Sequence, residues 1–389
     1  MKWCFPGHEH VVDIICDKSN HYYLWGMQET GRNFLQKFQQ DINIIGILDS
    51  DKEKIGMEID GFRVQDPKTV RFSSDDKVII TINTAEHVYS VVQYLLQIGM
   101  VENETYFRYV TAQRILNYYD HKLLFLEQTD LLITSACTLC CKDCLVRIPY
   151  IEKPQIYALD EIKQRIDLSF KFVDKFGEYH VLGGEPMLHP QLDKIIEYLM
   201  ENYRSRLNKG CIVTNATILP TKKILDIFKR YDIEVIISDY SYSDGFHGKQ
   251  KVKDWESMLE QQKISYVIRE QKMWNPLGDV DEKNYSEHQL RDCFDYCDCG
   301  ATKTMIFQND RVYLCARSAV AEDGSRGVFA IGNSMKLDDP TEENRRRFLE
   351  YTTGFAENGY LEECKKCYLG KFHWEMRVPA ARQIERKRL

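Results

Sequence analysis

Cys137, Cys141 and Cys144 stand in Cys-x-x-x-Cys-x-x-Cys spacing just past an apolar run, Leu131-Leu132-Ile133-Thr134. Cysteine spacing of this kind is a feature of iron–sulfur sites. Three thiolates can hold three irons of a [4Fe–4S] cluster and leave the fourth open for a small ligand. Further along, Gly183-Gly184-Glu185-Pro186 follows another strand-like segment. Glycines allow close backbone approach and unusual φ values, and Glu185 offers a carboxylate to a ligand ammonium. An open iron beside a glycine-rich strand end points to a catalytic cluster rather than a structural one. Zinc is the alternative, since a tetrahedral site takes four protein ligands, often as two Cys-x-x-Cys pairs. Cys141/Cys144 with Cys364/Cys367 would supply them. That set leaves Cys137 unused and gives the Gly-Gly-Glu-Pro loop no place.

The elements that must position these residues follow from patterning. A chain of 389 residues predicts two to three domains on the usual prior of about 100–200 residues each. A hydrophobic fraction of 43% supplies ample core, and a formal charge of −7 gives no reason to expect nucleic acid as a partner. No apolar run reaches the roughly 18 residues of a membrane helix, and the N-terminus lacks a secretion signal's apolar core. A cytoplasmic protein is expected. Thirteen cysteines in a signal-free chain of this size argue for metal or catalytic use over disulfides. Outside the dense groups, Cys4, Cys16, Cys140 and Cys211 read as small buried hydrophobes.

Residues 1–110 alternate strand and helix patterns: strands at His21 to Trp25, Ile42 to Leu48, Lys77 to Ile82 and Thr105 to Tyr109, with a helix from Thr84 to Gln97. Alternation of this kind implies parallel βαβ units and a Rossmann-like domain. Its loop, Gly26-Met27-Gln28-Glu29-Thr30-Gly31, keeps the first and third glycines of the dinucleotide fingerprint and puts Gln28 at the second. The second glycine normally lets backbone approach a pyrophosphate. Asp49 lies where a ribose-binding acid would sit. Residues 111–128 read as a connecting helix.

From 129 to 284 the alternation resumes. Strands are expected at Leu131–Ser135, Tyr179–Leu182, Cys211–Thr214, Glu234–Ser238, Ser265–Arg269 and Thr304–Phe307, with helices at Leu159–Phe176, Gln191–Tyr203, Thr221–Tyr231 and Lys253–Gln262. Functional residues at strand C-termini follow barrel logic, so a partial (β/α)6 TIM-like barrel is expected. Residues 285–389 lose the rhythm and carry Cys293, Cys297, Cys299, Cys315, Cys364 and Cys367. Basic Arg345-Arg346-Arg347 and the tail from Arg377 read as a solvated helix face.

Thr138-Leu139-Cys140-Cys141-Lys142-Asp143-Cys144 and Leu182-Gly183-Gly184-Glu185-Pro186-Met187-Leu188 resemble the two leading motifs of the radical S-adenosylmethionine (SAM) superfamily, over about 130 to 270. The resemblance implies that Cys137, Cys141 and Cys144 ligate the catalytic cluster. SAM would chelate its open iron, and one electron would release a 5′-deoxyadenosyl radical. Gly183, Gly184 and Glu185 would receive the methionyl amino group. Asn215, Ser238 and, more weakly, Arg269 occupy positions that contact the SAM carboxylate or ribose in that family. Asp143 replaces the family's aromatic residue.

The later cysteines resemble the SPASM and twitch extensions, which hold auxiliary [4Fe–4S] clusters. Cys297 or Cys299, a hairpin around Asn309-Asp310-Arg311, Cys315, Cys364 and Cys367 would provide one such set. Cys293 is then surplus and could donate a hydrogen in an epimerisation. The segments Ile45–Asp49 and Asp60–Val64 resemble the N-terminal domain of bacterial sugar O-acyltransferases. The implied activity is oxidation or epimerisation of a carbohydrate or nucleotide sugar, with flavodoxin or ferredoxin as electron donor. A peptide-modifying radical SAM enzyme is the rival, and a zinc-bound scaffold a third reading.

Overall fold

In the computed structural model, residues 7–277, 281–297, 304–321, 334–354, 359–368 and 376–385 are described. Runs of β-branched and aromatic residues form strands because such side chains fit a pleated, buried surface. α1 (His8–Cys16) leads into β1 (His21–Trp25), α2 (Glu29–Phe38) and β2 (Asn43–Leu48). Short β3 (Glu58–Ile59) and β4 (Phe62–Gln65) precede β5 (Asp76–Ile80), α3 (Ala85–Gln97), β6 (Tyr106–Arg108) and α4 (Tyr109–Tyr119). The sheet runs β3-β4-β2-β1-β5-β6, and β1 pairs in parallel with both β2 and β5. One apolar cluster joins Leu24, Ile47 and Ile79 to Phe34, Phe38 and Ile115; another joins Trp25, Leu48 and Ile80 to Val88, Val91 and Leu95. Both faces of this sheet are therefore covered.

The connecting helix expected over 111–128 is shorter. α4 ends at Tyr119, Lys122 turns the chain at φ 55°, and Phe125 already begins the next strand. The second sheet is built from β7 (Phe125–Leu132), α5 (Leu159–Phe172), β8 (Lys175–Leu182), α6 (Leu192–Tyr203), β9 (Leu207–Thr214), α7 (Lys222–Tyr231), β10 (Glu234–Asp239), α8 (Val252–Gln262) and β11 (Tyr266–Glu270). Its order is β11-β10-β9-β8-β7, with every pairing parallel. Strands β7, β8 and β9 start earlier than expected because their first halves carry polar residues at alternate positions, which masks the apolar run.

Side chains alternate faces along a strand, and register sorts them. Leu131, Tyr179, Val181, Ile212, Val235 and Ile237 share a core with the α5–α8 helices. The opposite row reads Asp130–His180–Cys211–Glu234 across four strands, with Gln128, Glu178 and Lys209 below it and Ser238 paired to Arg269 at the far edge. This sheet is apolar on one face and charged on the other.

β12 (Met273–Trp274) and α9 (Glu287–Tyr296) follow. The sixth strand expected at Thr304–Phe307 touches β7 at an isolated bridge, Thr129 with Met305. It continues as β13 (Ile306–Gln308), which forms an antiparallel sheet with β14 (Arg311–Tyr313) and β15 (Ser334–Lys336). Asn309 makes the hairpin turn at φ 54°, a conformation Asn tolerates.

The basic segments are a solvated face only in part: Arg347 is exposed on the helix Glu342–Thr352. Arg345 donates to the Phe172 carbonyl at 3.0 Å and to the Asp174 carboxylate at 2.5 Å, and Arg346 is buried. The tail forms β16 (Val378–Pro379), antiparallel to β12, and then a buried strap through Ala380 and Ala381. No helix among the described residues is long and apolar enough to cross a membrane.

Candidate active site

The loop after β7 continues the parallel pairing beyond both strands: Gly184 N–H donates to Thr134 O and Glu185 N–H to Ala136 O, each at 2.8 Å. The two glycines make that approach possible. A Cβ on Gly183 would lie 2.3 Å from Thr134 O, and one on Gly184 would lie 2.1 Å from Ala136 O and 3.0 Å from Cys137 Cβ. Any larger residue would push the Cys137 backbone off the strand end.

Glu185 is fully buried, and its carboxylate accepts N–H bonds from Met187 (3.1 Å) and Asn215 (2.8 Å) and an O–H bond from Thr214 (2.8 Å). It ties the end of β8 to the end of β9. Burial raises its pKa to about 7 against the lowering effect of those donors.

Cys137, Cys141 and Cys144 gather with Leu139, Tyr240, Trp274 and Ala381. Amide donors point at all three sulfurs, with backbone N–H groups of Val146, Arg147 and Ile148 at Cys144. Leu139 N–H (3.4 Å) and Asn215 Nδ2 (3.6 Å) face Cys137, and Gln383 Nε2 (3.1 Å) faces Cys141. Burial pushes the Cys137 thiol up to about 12 and raises Cys141 and Cys144 as well. Asn215 also reaches Thr138 Oγ1 at 3.2 Å. Gln250 Nε2 donates to the carbonyls of Asn215 and Ser238, both at 2.7 Å, holding the ends of β9 and β10 together. Asp143 accepts the Leu277 N–H at 3.1 Å.

The structure thus brings Cys137, Cys141, Cys144, Gly183, Gly184, Glu185 and Asn215 to one strand-end surface. Ser238 joins them through Tyr240, which it hydrogen-bonds and whose pKa is raised by burial and then by the Cys141 sulfur. Arg269 stands apart, exposed on edge strand β11.

Two features escaped sequence reasoning. Gln383 lies in the tail, yet its Oε1 accepts Cys140 N–H at 2.8 Å, and Lys142 N–H donates to Arg382 O at 2.9 Å. No local pattern signals that strap. The other is the charged face. His180 sits between Glu178 (2.8 Å from Nε2) and Asp130 (3.3 Å from Nδ1). Burial would lower its pKa, but hydrogen bonds with Asp130, Cys211 and Glu178 outweigh it and push it to about 11. Cys211 is therefore a partner of His180 rather than a plain core thiol. A count of polar residues at every second strand position would have found this row.

The second cysteine group is separate. Cys293, Cys297, Cys315, Cys364 and Cys367 line one cavity of about 100 Å3 with Leu145, Arg317 and Glu363; Cys299 lies outside the described residues. Cys364 and Cys367 are in a different cluster from Cys141, so the pair-of-pairs zinc set is not assembled. Cys293, read as surplus, shares this wall. Glu363 Oε1 accepts from both Arg147 and Arg317 at 3.1 Å, all three buried, and so links the first cysteine loop to this cavity.

Residues 18–105 match the family described as C2185-like, N-terminal. Among curated proteins nothing matches. Solved structures similar to this chain include BtrN in complex with AdoMet and 2-DOIA, at TM-score 0.39 and 17% identity over 62% of this chain and 92% of that one. Streptococcus suis SuiB bound to S-adenosylmethionine aligns at TM-score 0.31 and 18% identity, over 56% of this chain and 49% of SuiB. anSMEcpe with bound AdoMet aligns at TM-score 0.30 and 17% identity, over 37% and 43%. The chain spans less than half the length of anSMEcpe or SuiB. At these identities and TM-scores the similarity carries no functional assignment.

Proposed function

We propose that this chain is a radical SAM enzyme that oxidises or epimerises a carbohydrate or nucleotide-sugar substrate. The observation that carries the reading is three thiols, Cys141 buried and Cys137 and Cys144 half-buried, at the C-terminal end of a parallel sheet with amide donors aimed at their sulfurs. Hydrogen bonds to charged acceptors are roughly twice as strong as neutral ones, so donors placed on sulfur suit cysteinates bound to iron. Cys137, Cys141 and Cys144 would hold a [4Fe–4S] cluster. Cys297, Cys315, Cys364 and Cys367, with Cys293 on the same wall, would hold an auxiliary one, which favours a ligand role for Cys293 over hydrogen donation. When bound, the first cluster and SAM supply one-electron sulfonium cleavage and hydrogen-atom abstraction.

The rest is the work of this chain's residues. Gly183 and Gly184 let the Cys137 loop seat on β8, and Glu185 fixes the strand ends around it. Asn215 and Ser238 orient the polar end of SAM, while the strap around Gln383 keeps water from the cysteine loop. The row from Asp130 to Arg269 offers donors and acceptors suited to a hydroxyl-rich substrate. The 129–284 region serves as the partial barrel and 285–389 as a SPASM/twitch-like domain. Anaerobic protein given SAM and dithionite should form 5′-deoxyadenosine, and a C137A/C141A/C144A variant should form none. A wild-type protein that binds zinc and leaves SAM intact would contradict the proposal.

A further inference from the structure

The N-terminal sheet holds a cavity that this reading does not use. It measures about 390 Å3 and is lined by Trp25, Gly26 and Gln28 after β1, Asp49 to Asp51 and Lys54 after β2, Thr81 and Ile82 after β5, and His87, Ser90 and Val91 on or beside α3. That volume falls within the roughly 300–1,000 Å3 of small-molecule sites. Its position is the place where strand order reverses: β1 lies between β2 and β5, and ligands of open parallel sheets bind in the crevice beyond the carboxyl ends at such a point.

Three observations define what fits. Trp25 is buried (2% exposed), and its indole Nε1–H has no hydrogen-bond partner. A buried donor without a partner costs about 1–3 kcal/mol, which a ligand acceptor would recover. Asp49 is also buried; its Oδ1 accepts Asp51 N–H at 3.0 Å and its Oδ2 accepts Lys54 Nζ at 3.1 Å. An ionised carboxylate has about four acceptor positions, so two remain for a vicinal diol. The third observation is charge. Asp49 and Asp51 outnumber Lys54 in the lining.

The glycine turn here is closed on itself. Thr81 Oγ1 donates to the carbonyls of Trp25 and Gly26, and a Cβ on Gly31 would lie 2.1 Å from Gly26 O. The glycines serve a tight strand-to-helix turn, while Gln28 stands where backbone would otherwise meet phosphate.

We infer that this cavity binds a ribonucleoside moiety, with its 2′,3′-diol on Asp49 and its base against Trp25, Ile82 and Val91, and with no phosphate cradled by the protein. The inference is independent of the radical SAM reading, because no cysteine takes part.

The test is titration of the full-length protein with adenosine, guanosine, cytidine and uridine, followed by calorimetry and tryptophan fluorescence. At least one nucleoside should bind, and its 2′-deoxy analogue should bind about tenfold or more weakly, the loss expected for a hydrogen bond to a charged group. D49N should weaken binding by a similar factor. S90Y, which fills the cavity from an exposed helix position, should abolish binding without lowering thermal stability. NAD should bind no more tightly than the nucleoside. The inference is overturned if no nucleoside binds at millimolar concentration, if the 2′-deoxy analogue binds equally well, if binding survives both variants, or if NAD binds more tightly.

Discussion

The two parallel sheets of this chain use the same strand–helix repeat to opposite ends. In the first, helices cover both faces, every residue of β5 is buried, and apolar clusters lie on either side. A ligand has only the crevice at the strand ends, where Trp25 and Asp49 lie. In the second, the α5–α8 helices cover one face, and Asp130, Glu178, His180, Lys209, Glu234 and Arg269 occupy the other. Parallel sheets are normally buried on both sides. Here the second face carries a charged row in which His180 and Cys211 are themselves buried, with Arg269 exposed at its edge. The two sheets thus differ in what lies on the second face: an apolar cluster in one and a charged row in the other.

Both sheets depend on a glycine at a close approach, and substituting each one separates their roles. In G184A the new Cβ meets Ala136 O at 2.1 Å, displacing Cys137. SAM cleavage should fall by at least about 100-fold, while nucleoside binding in the first sheet stays unchanged. In G31A the clash is with Gly26 O at the same distance, so the reverse is expected: stability falls by about 1–3 kcal/mol from overpacking, with iron content retained. If G31A abolished iron binding and G184A did not, the division of labour would be wrong.

Buried charge predicts the next effects. E363Q leaves Arg147 and Arg317, both buried, without their shared carboxylate, and breaking such a group costs about 3–5 kcal/mol, measurable by urea unfolding. His180 predicts a pH dependence. Its folded pKa, about 11, stands above the ordinary value near 6.5. The stability it contributes is therefore complete below about pH 6.5 and lost as pH rises through about 11. Thermal midpoints should decline across that window, and H180Q should remove the slope. The smallest effect belongs to the capping box of α9, where Ser286 Oγ accepts Gln289 N–H at 3.3 Å. S286A should cost about 1 kcal/mol by thermal unfolding and leave both cysteine groups loaded.

Local pattern made much of this legible. β1 runs from His21 to Trp25 as read, the hairpin turns at Asn309 and Asp310, and the helices of the second sheet begin within one residue of their expected starts. The three cysteines and the Gly-Gly-Glu loop were recognisable as a candidate site because cluster ligands are read from spacing within a few residues. What stayed hidden depends on contacts far apart in the chain. Gln383 reaches Cys141 across more than half the sequence, and the basic tail gave no hint of a buried strap. Arg345 and Arg346 looked solvated because a charge pattern does not reveal the Asp174 carboxylate or Phe172 carbonyl waiting for Arg345. The charged face was hidden because polar residues at alternate positions shorten the apparent strands, although register makes them one row.

The most direct measurement is iron and labile sulfide per chain after anaerobic reconstitution, in the wild type and in variants lacking either cysteine group. Two [4Fe–4S] clusters predict about eight irons and eight sulfides, falling to about four of each when Cys137, Cys141 and Cys144 become alanine, and to about four when Cys315, Cys364 and Cys367 do. A wild-type chain carrying stoichiometric zinc and no sulfide would contradict the account.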